Sequence, residues 1–139
     1  MKRHRAVVDT NVLYSGLYSQ SGASFQILRL IDRGRLVPQL STTLLFEYED
    51  VLTRNQHELK LSDRAVNDVL DGFCLRGECR KVHFLWRPQL SDPKDDHVLE
   101  LAVAASGVDI VTHNLRDFGN ASPFGIRIIT PAQLLGELK

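Results

Sequence analysis

Little in this chain invites a covalent, membrane-based or charge-driven explanation. It has only two cysteines, Cys74 and Cys79, with His83 four positions further on. A structural zinc site needs four ligands and no fourth can be placed, so both read as reduced thiols of a cytoplasmic protein. No apolar run is long enough to span a bilayer. The basic start Met1-Lys2-Arg3-His4-Arg5 leads into strand-like residues rather than a signal-peptide core. Neither charge is in excess, with 17 Lys and Arg against 17 Asp and Glu. Net charge therefore carries no signature of a nucleic-acid partner, although charge distribution matters more than the sum. No repeat, low-complexity tract or linker interrupts the chain, and a single domain over residues 1–139 is expected.

What is present is an alternation. Strand-like apolar runs at residues 5–9, 36–38, 81–84, 108–111 and 127–129 alternate with helical patterns at 23–33, 42–54, 63–73, 93–106 and 131–138. That order points to an α/β fold, a parallel sheet covered by helices on both sides. Several boundaries are marked chemically. Gly34 is placed as a left-handed glycine after a helix, Ser41 or Thr42 and Ser62 as N-caps, and Asp92-Pro93 and Thr130-Pro131 as helix starts.

The acids are distributed suggestively. Ala6-Val7-Val8 is a buried-strand run that stops at Asp9, followed by Thr10 and Asn11. Open α/β sheets bind ligands just beyond the carboxyl ends of their strands, though Asp and Asn also favour plain polar turns. In the next helix, Glu47 and Glu49 flank an apolar face of Leu44, Leu45, Tyr48, Val51 and Leu52 from opposite sides, and periodicity does not choose between them. Asp92, Asp95 and Asp96 open a helix that is apolar over most of its circumference. Capping and the helix dipole account for one or two acids there, not three. Helical phase places Asp95 inward and Asp96 toward the edge. After the strand-like run ending at Val111 come Thr112, His113, Asn114 and Asp117, an echo of the opening motif. Like charges ~4 Å apart repel by about 4 kcal/mol at an effective dielectric of ~20. Converging acids therefore require raised pKa values or a bound cation. Oxygen ligands suit Mg²⁺ or Mn²⁺, which acidify water and neutralise charge on a phosphodiester.

Taken together, these motifs resemble those of PIN-domain proteins, particularly the toxin components of toxin–antitoxin systems related to VapC. Val8-Asp9-Thr10-Asn11-Val12-Leu13 is similar to the opening motif, with Asp9 as the first metal-binding acid. Ser41 followed six residues later by Glu47 is similar to the second block, and this selects Glu47 over Glu49. Asp92-Pro93-Lys94-Asp95-Asp96-His97 resembles the third, with the essential acid at Asp95 or Asp96, and Val111-Thr112-His113-Asn114 the fourth. The family often has Asp where this chain has Asn114, so Asp117, one turn later, is the candidate replacement.

The resemblance implies a three-layer α/β/α sandwich on a five-stranded parallel sheet of order 3-2-1-4-5. It implies an Mg²⁺- or Mn²⁺-dependent ribonuclease, a homodimer inhibited by a small antitoxin protein, with RNA as substrate. Asp9, Asp95 and Asp96 would bind the metal, Glu47 and Asp117 would complete the catalytic acids, and Thr10, Asn11, Thr112 and Asn114 would orient them. The alternative is a PIN-fold interaction module whose weakened metal site leaves it without catalysis. A phosphatase using Asp9 as nucleophile is disfavoured, because no Asp stands two positions later.

Overall fold

A computed structural model describes residues 3–82 and 95–138, with only the backbone described for 120–123. The chain runs β1 (His4–Val8), α1 (Thr10–Tyr18), α2 (Ala23–Asp32), β2 (Leu36–Leu40), α3 (Thr42–Arg54), α4 (Gln56–Leu59), α5 (Asp63–Arg76) and β3 (Glu78–Cys79). It continues through α6 (Asp96–Ala104), β4 (Asp109–Val111), a 3₁₀ segment (Leu115–Phe124), β5 (Ile128–Ile129) and α7 (Pro131–Leu138). The five strands form one sheet, β3-β2-β1-β4-β5, with every neighbouring pair parallel. Successive strand residues point to opposite faces, and Ala6, Val7 and Val8 are all fully buried. Both faces of the central strand are therefore covered, the condition for a wholly parallel sheet. Among the described residues no helix is long and apolar enough to cross a membrane.

Most boundaries follow the local chemistry read from the sequence. Ser41 Oγ accepts from Leu44 N, and Ser62 Oγ accepts from Ala65 N. Thr130 and Gln133 form a reciprocal capping box, each side chain accepting from the other's backbone N–H. Gly34 has φ +75°, which an L side chain rarely adopts. The amphipathic helix α5 turns Val66 and Phe73 into the core. The proposed Asp92 cap and His83 lie outside the described residues.

Among the elements that differ from expectation, α1 and β3 bear most on the sheet and the site. The stretch after Asp9 is a nine-residue helix, not a turn, and Asp9 caps it by accepting from Thr10 N. Its helical character is masked by Gly16, yet a Cβ there would stand 2.5 Å from Leu28 Cδ1 and 3.0 Å from Ser24 O. The glycine is what lets α1 lie close against α2. The third strand is Glu78–Cys79 rather than residues 81–84, of which Lys81 and Val82 are described and lie outside it. Both of its residues are exposed, so an apolar run could not signal it; it exists because β2 pairs with it, Gln39 opposite Glu78 and Leu40 opposite Cys79. Glu78 Oε1 then accepts from Arg5, Arg80 and the fully buried Gln39. Cys74 and Cys79 are exposed, free thiols.

At the amino-terminal edge of the sheet, His4 and Arg127 both donate to Asp109, and Arg127 also holds Glu137. Burial pushes the Asp109 carboxyl up, but Arg127 and His4 outweigh it and hold its pKa below the ordinary value. A carboxyl lowered in the folded state contributes stability above its unfolded pKa of ~3.9 and loses it as pH falls through the folded value. Arg127→Met is accordingly expected to flatten the fall in melting temperature below about pH 4. An acid profile identical to wild type would show the cluster to be energetically neutral.

Candidate functional site

The strand order reverses direction between β1 and β4, and the register there is Val8 opposite Val111. The next residues of the two strands, Asp9 and Thr112, are thereby side by side, with Asp9 N donating to Val111 O. Thr112 Oγ1 donates to Asp9 Oδ2 at 2.7 Å and accepts from Asn11 Nδ2 and Asn114 N. A hydroxyl has one proton and two lone pairs, so Thr112 is saturated and its rotamer is fixed. Asp9 accepts as well from Thr10 N at 2.8 Å and Asn11 Nδ2 at 3.4 Å. Burial pushes the Asp9 pKa above its ordinary value; the Thr112 and Thr10 bonds oppose that shift and the nearby Glu47 adds to it.

Glu47 arrives from α3. Tyr48, beside it, is fully buried, and its hydroxyl donates to the Val8 carbonyl at the end of β1 while its ring packs on Phe73. This anchors α3 to the strand that carries Asp9. Glu47 Oε1 accepts from Thr10 Oγ1 at 2.8 Å, and Oε2 lies 2.6 Å from His97 Nε2. Burial raises the Glu47 pKa, but the His97 and Thr10 bonds outweigh it and the net shift is downward. Glu49 is exposed. The two glutamates left open by periodicity are thus separated by structure. Removing the anchor by Tyr48→Phe is expected to cost about 1–2 kcal/mol, because the buried Val8 carbonyl loses that donor. A denaturant midpoint unchanged from wild type would contradict this.

In the sequence His97 stands out only as part of the third motif. It sits in the first turn of α6, and among the described residues its buried Nδ1 has no hydrogen-bond partner. A histidine directly after two acids at a helix start is the signal available for it. Burial also reverses the order expected of those acids: Asp96 is 1% exposed and Asp95 only half-buried. Asp95 precedes α6 in a 3₁₀ turn (φ −88°, ψ −9°), whose tighter winding departs from the α-helical phase on which that order is counted.

The structure therefore gathers Asp9, Thr10, Asn11, Glu47, His97 and Thr112 at one switch point, with Asn114 joined through its backbone N–H. Asn114 is exposed, and Asp117 lies with it along an open pocket of about 460 Å³ lined also by His113, Leu115 and Arg116. Among the described residues no three of His, Cys, Asp and Glu are grouped to hold one metal ion. The two carboxylates that these hydrogen bonds bring together are Asp9 and Glu47, joined through Thr10. Such a pair suits a hard cation like Mg²⁺, which is commonly held by one or two carboxylates with water and substrate phosphate completing its shell.

Comparison with known proteins adds three findings. A sequence profile described as the PIN domain matches residues 5–116. The fold is similar to that in the crystal structure of VapBC2 from Rickettsia felis bound to a DNA fragment from their promoter. The TM-score is 0.59 at 13% identity, covering 91% of this chain and 98% of that one. No curated protein matches the chain.

Proposed function

The chain belongs to the PIN-domain family, and from that premise we propose that it is a divalent-metal-dependent endoribonuclease, the toxin of a toxin–antitoxin pair. The observation that carries this reading is the buried Asp9 at the switch point, its carboxylate fixed by Thr112 from the neighbouring strand. Asp9 would bind Mg²⁺ or Mn²⁺, with Asp95 and Asp96 as the further metal acids, and Glu47 and Asp117 completing the catalytic set. When bound, the ion supplies positive charge to the phosphodiester and acidifies a water.

The remaining chemistry belongs to the chain's own groups. Thr112 and Asn11 aim the Asp9 carboxylate, and Thr10 and His97 aim that of Glu47. Asn114 supports Thr112 through its backbone N–H. These bonds are made before substrate arrives, so little reorganisation is needed when an RNA phosphate enters. A partner that orients an acid in this way commonly contributes 10–100-fold. His97→Ala is expected to slow Mn²⁺-supported cleavage by about that much, and unaltered kinetics would remove His97 from the site.

The test of the reading is RNA cleavage with Mn²⁺, wild type against Asp9→Asn; equal cleavage by both would refute it. The toxin assignment, which also covers a homodimer in the cytoplasm, adds a small antitoxin protein as partner. Co-purification with the product of a neighbouring short reading frame checks that part. A second reading, a PIN-fold interaction module without catalysis, follows from the amide of Asn114 standing where the resemblance leads one to expect an acid. Calorimetric titration with Mn²⁺ separates the two, since the module gives no heat that depends on Asp9.

A further inference from the structure

In the sequence His113 is a lone loop histidine beside Thr112. In the fold it has two anchors. Its backbone N–H donates to Asn11 Oδ1 at 3.2 Å, which ties it to the residue whose amide also binds Asp9 and Thr112. Its ring Nε2 lies 2.7 Å from Ser24 Oγ. Ser24 belongs to the first turn of α2 and is 3% exposed, whereas His113 is exposed. A buried hydroxyl is thus spent on orienting the ring of a surface residue. Holding an exposed side chain in one rotamer costs conformational entropy with little burial to offset it. A side chain locked by a neighbour's hydrogen bond at the mouth of a site has the form of a group prepared for a ligand.

The chemistry of that ligand follows from the ring. With Nε2 engaged by Ser24, the imidazole presents Nδ1. The neutral ring carries its proton on Nδ1 when Ser24 donates to Nε2, and the protonated ring carries one on both nitrogens. An anionic acceptor selects these two arrangements. The pocket beside His113 continues along Asn114, Leu115 and the exposed Arg116, so a guanidinium follows the same edge. An extended strand with regularly spaced phosphates matches this layout; a compact ligand confined to Asp9 does not reach it.

We propose that His113, its ring set by Ser24, is a substrate-binding residue that donates from Nδ1 to a backbone phosphate of the RNA strand next to the one held at Asp9. This inference rests on the ribonuclease reading of the Asp9 site.

The test measures binding of a fluorescein-labelled single-stranded RNA of mixed sequence by anisotropy, with Asp9 unaltered and Ca²⁺ in place of Mn²⁺. A gel run alongside checks that the strand stays intact. His113→Ala is expected to weaken binding about tenfold, and Ser24→Ala to weaken it less, in the same direction. Adding Ser24→Ala to His113→Ala adds nothing, because the serine acts only through the ring. His113→Asn, which keeps an N–H near the Nδ1 position, recovers part of the loss. With Mn²⁺ supplied for cleavage, the His113→Ala defect falls on KM rather than kcat. An unchanged Kd, or losses that add in the double variant, overturns the proposal. If His113→Ala fails to fold by circular dichroism, Ser24→Ala and His113→Asn decide by the same comparison. Wild-type protein that cleaves RNA while His113→Ala binds as tightly as its parent removes this inference alone. Wild-type protein that neither binds nor cleaves RNA removes the ribonuclease reading and this one with it.

Discussion

Asp9→Asn is expected to lower Mn²⁺-supported RNA cleavage by at least ~10²-fold, more than a supporting partner contributes. Three donors converge on the Asp9 carboxylate: Thr10 N, Thr112 Oγ1 and Asn11 Nδ2. An ionised carboxylate only accepts, whereas an asparagine must place an NH₂ against one of these donors. Thr112 cannot adapt freely, since its lone pairs already serve Asn11 and Asn114. The substitution therefore removes the carboxylate proposed to hold the metal and also disturbs the groups that would aim its replacement. Burial pushes the Asp9 pKa upward, so its anionic form gains most from a cation placed beside it. Mn²⁺ should accordingly raise the melting temperature of the wild type, by about 2.7 kcal/mol in stability at ~100 Kd. The variant should show no such rise. A variant that retained both the cleavage and the thermal shift would place the activity elsewhere.

The largest loss of stability is expected from Gly77→Ala. Gly77 closes α5 and leads into β3, and its φ of −100° and ψ of −176° are open to any residue. The constraint is steric, not torsional. A Cβ there would stand 2.5 Å from Pro38 O and 2.8 Å from both Phe73 O and Leu40 Cδ1. Two of these atoms are backbone carbonyls, one in β2 and one in the last turn of α5. Neither yields without shifting its element, so the methyl group should cost about 3 kcal/mol, the upper end for overpacking. For a chain of this size that lowers the melting temperature by roughly 10 °C. Gly72→Ala is the control. It lies in the same helix with nothing within 4 Å of the added Cβ, and alanine should stabilise it by ~0.5–1 kcal/mol. If the two variants melt alike, the close approach at Gly77 carries no energetic weight.

The parts of this fold legible in the sequence are those whose signal is local. The buried strands β1 and β4 announce themselves as apolar runs, and Ser41, Ser62 and Thr130 mark helix starts because capping is a matter of a few neighbouring atoms. Asp9 is readable from the apolar run it ends, whereas periodicity leaves Glu47 and Glu49 open and only the family resemblance selects Glu47. What escaped depends on partners distant in the chain. The exposed pair Glu78–Cys79 is a strand only because β2 lies beside it. Helix α1 contains a glycine that local propensity counts against it and that packing on Leu28 requires. His97 gains its place from Glu47, 50 residues earlier, and His113 from Ser24, 89 residues earlier. Neither pairing has a spacing that a single sequence can display.

The bond from Thr112 to Asp9 joins residues 103 positions apart, and this bears on when a nascent chain can complete its site. Contacts of high sequence separation form late, and domains assemble as synthesis proceeds from the amino terminus. Asp9 and Glu47 leave the ribosome early, but the strand that aligns Asp9 lies at residues Asp109–Val111. A ribosome-arrested chain ending before Asp109 is therefore expected to leave added RNA intact, while the released chain cleaves it. The parallel order of the sheet thus acts as a timer. Assembly of the Asp9 site is withheld until most of the polypeptide has been made.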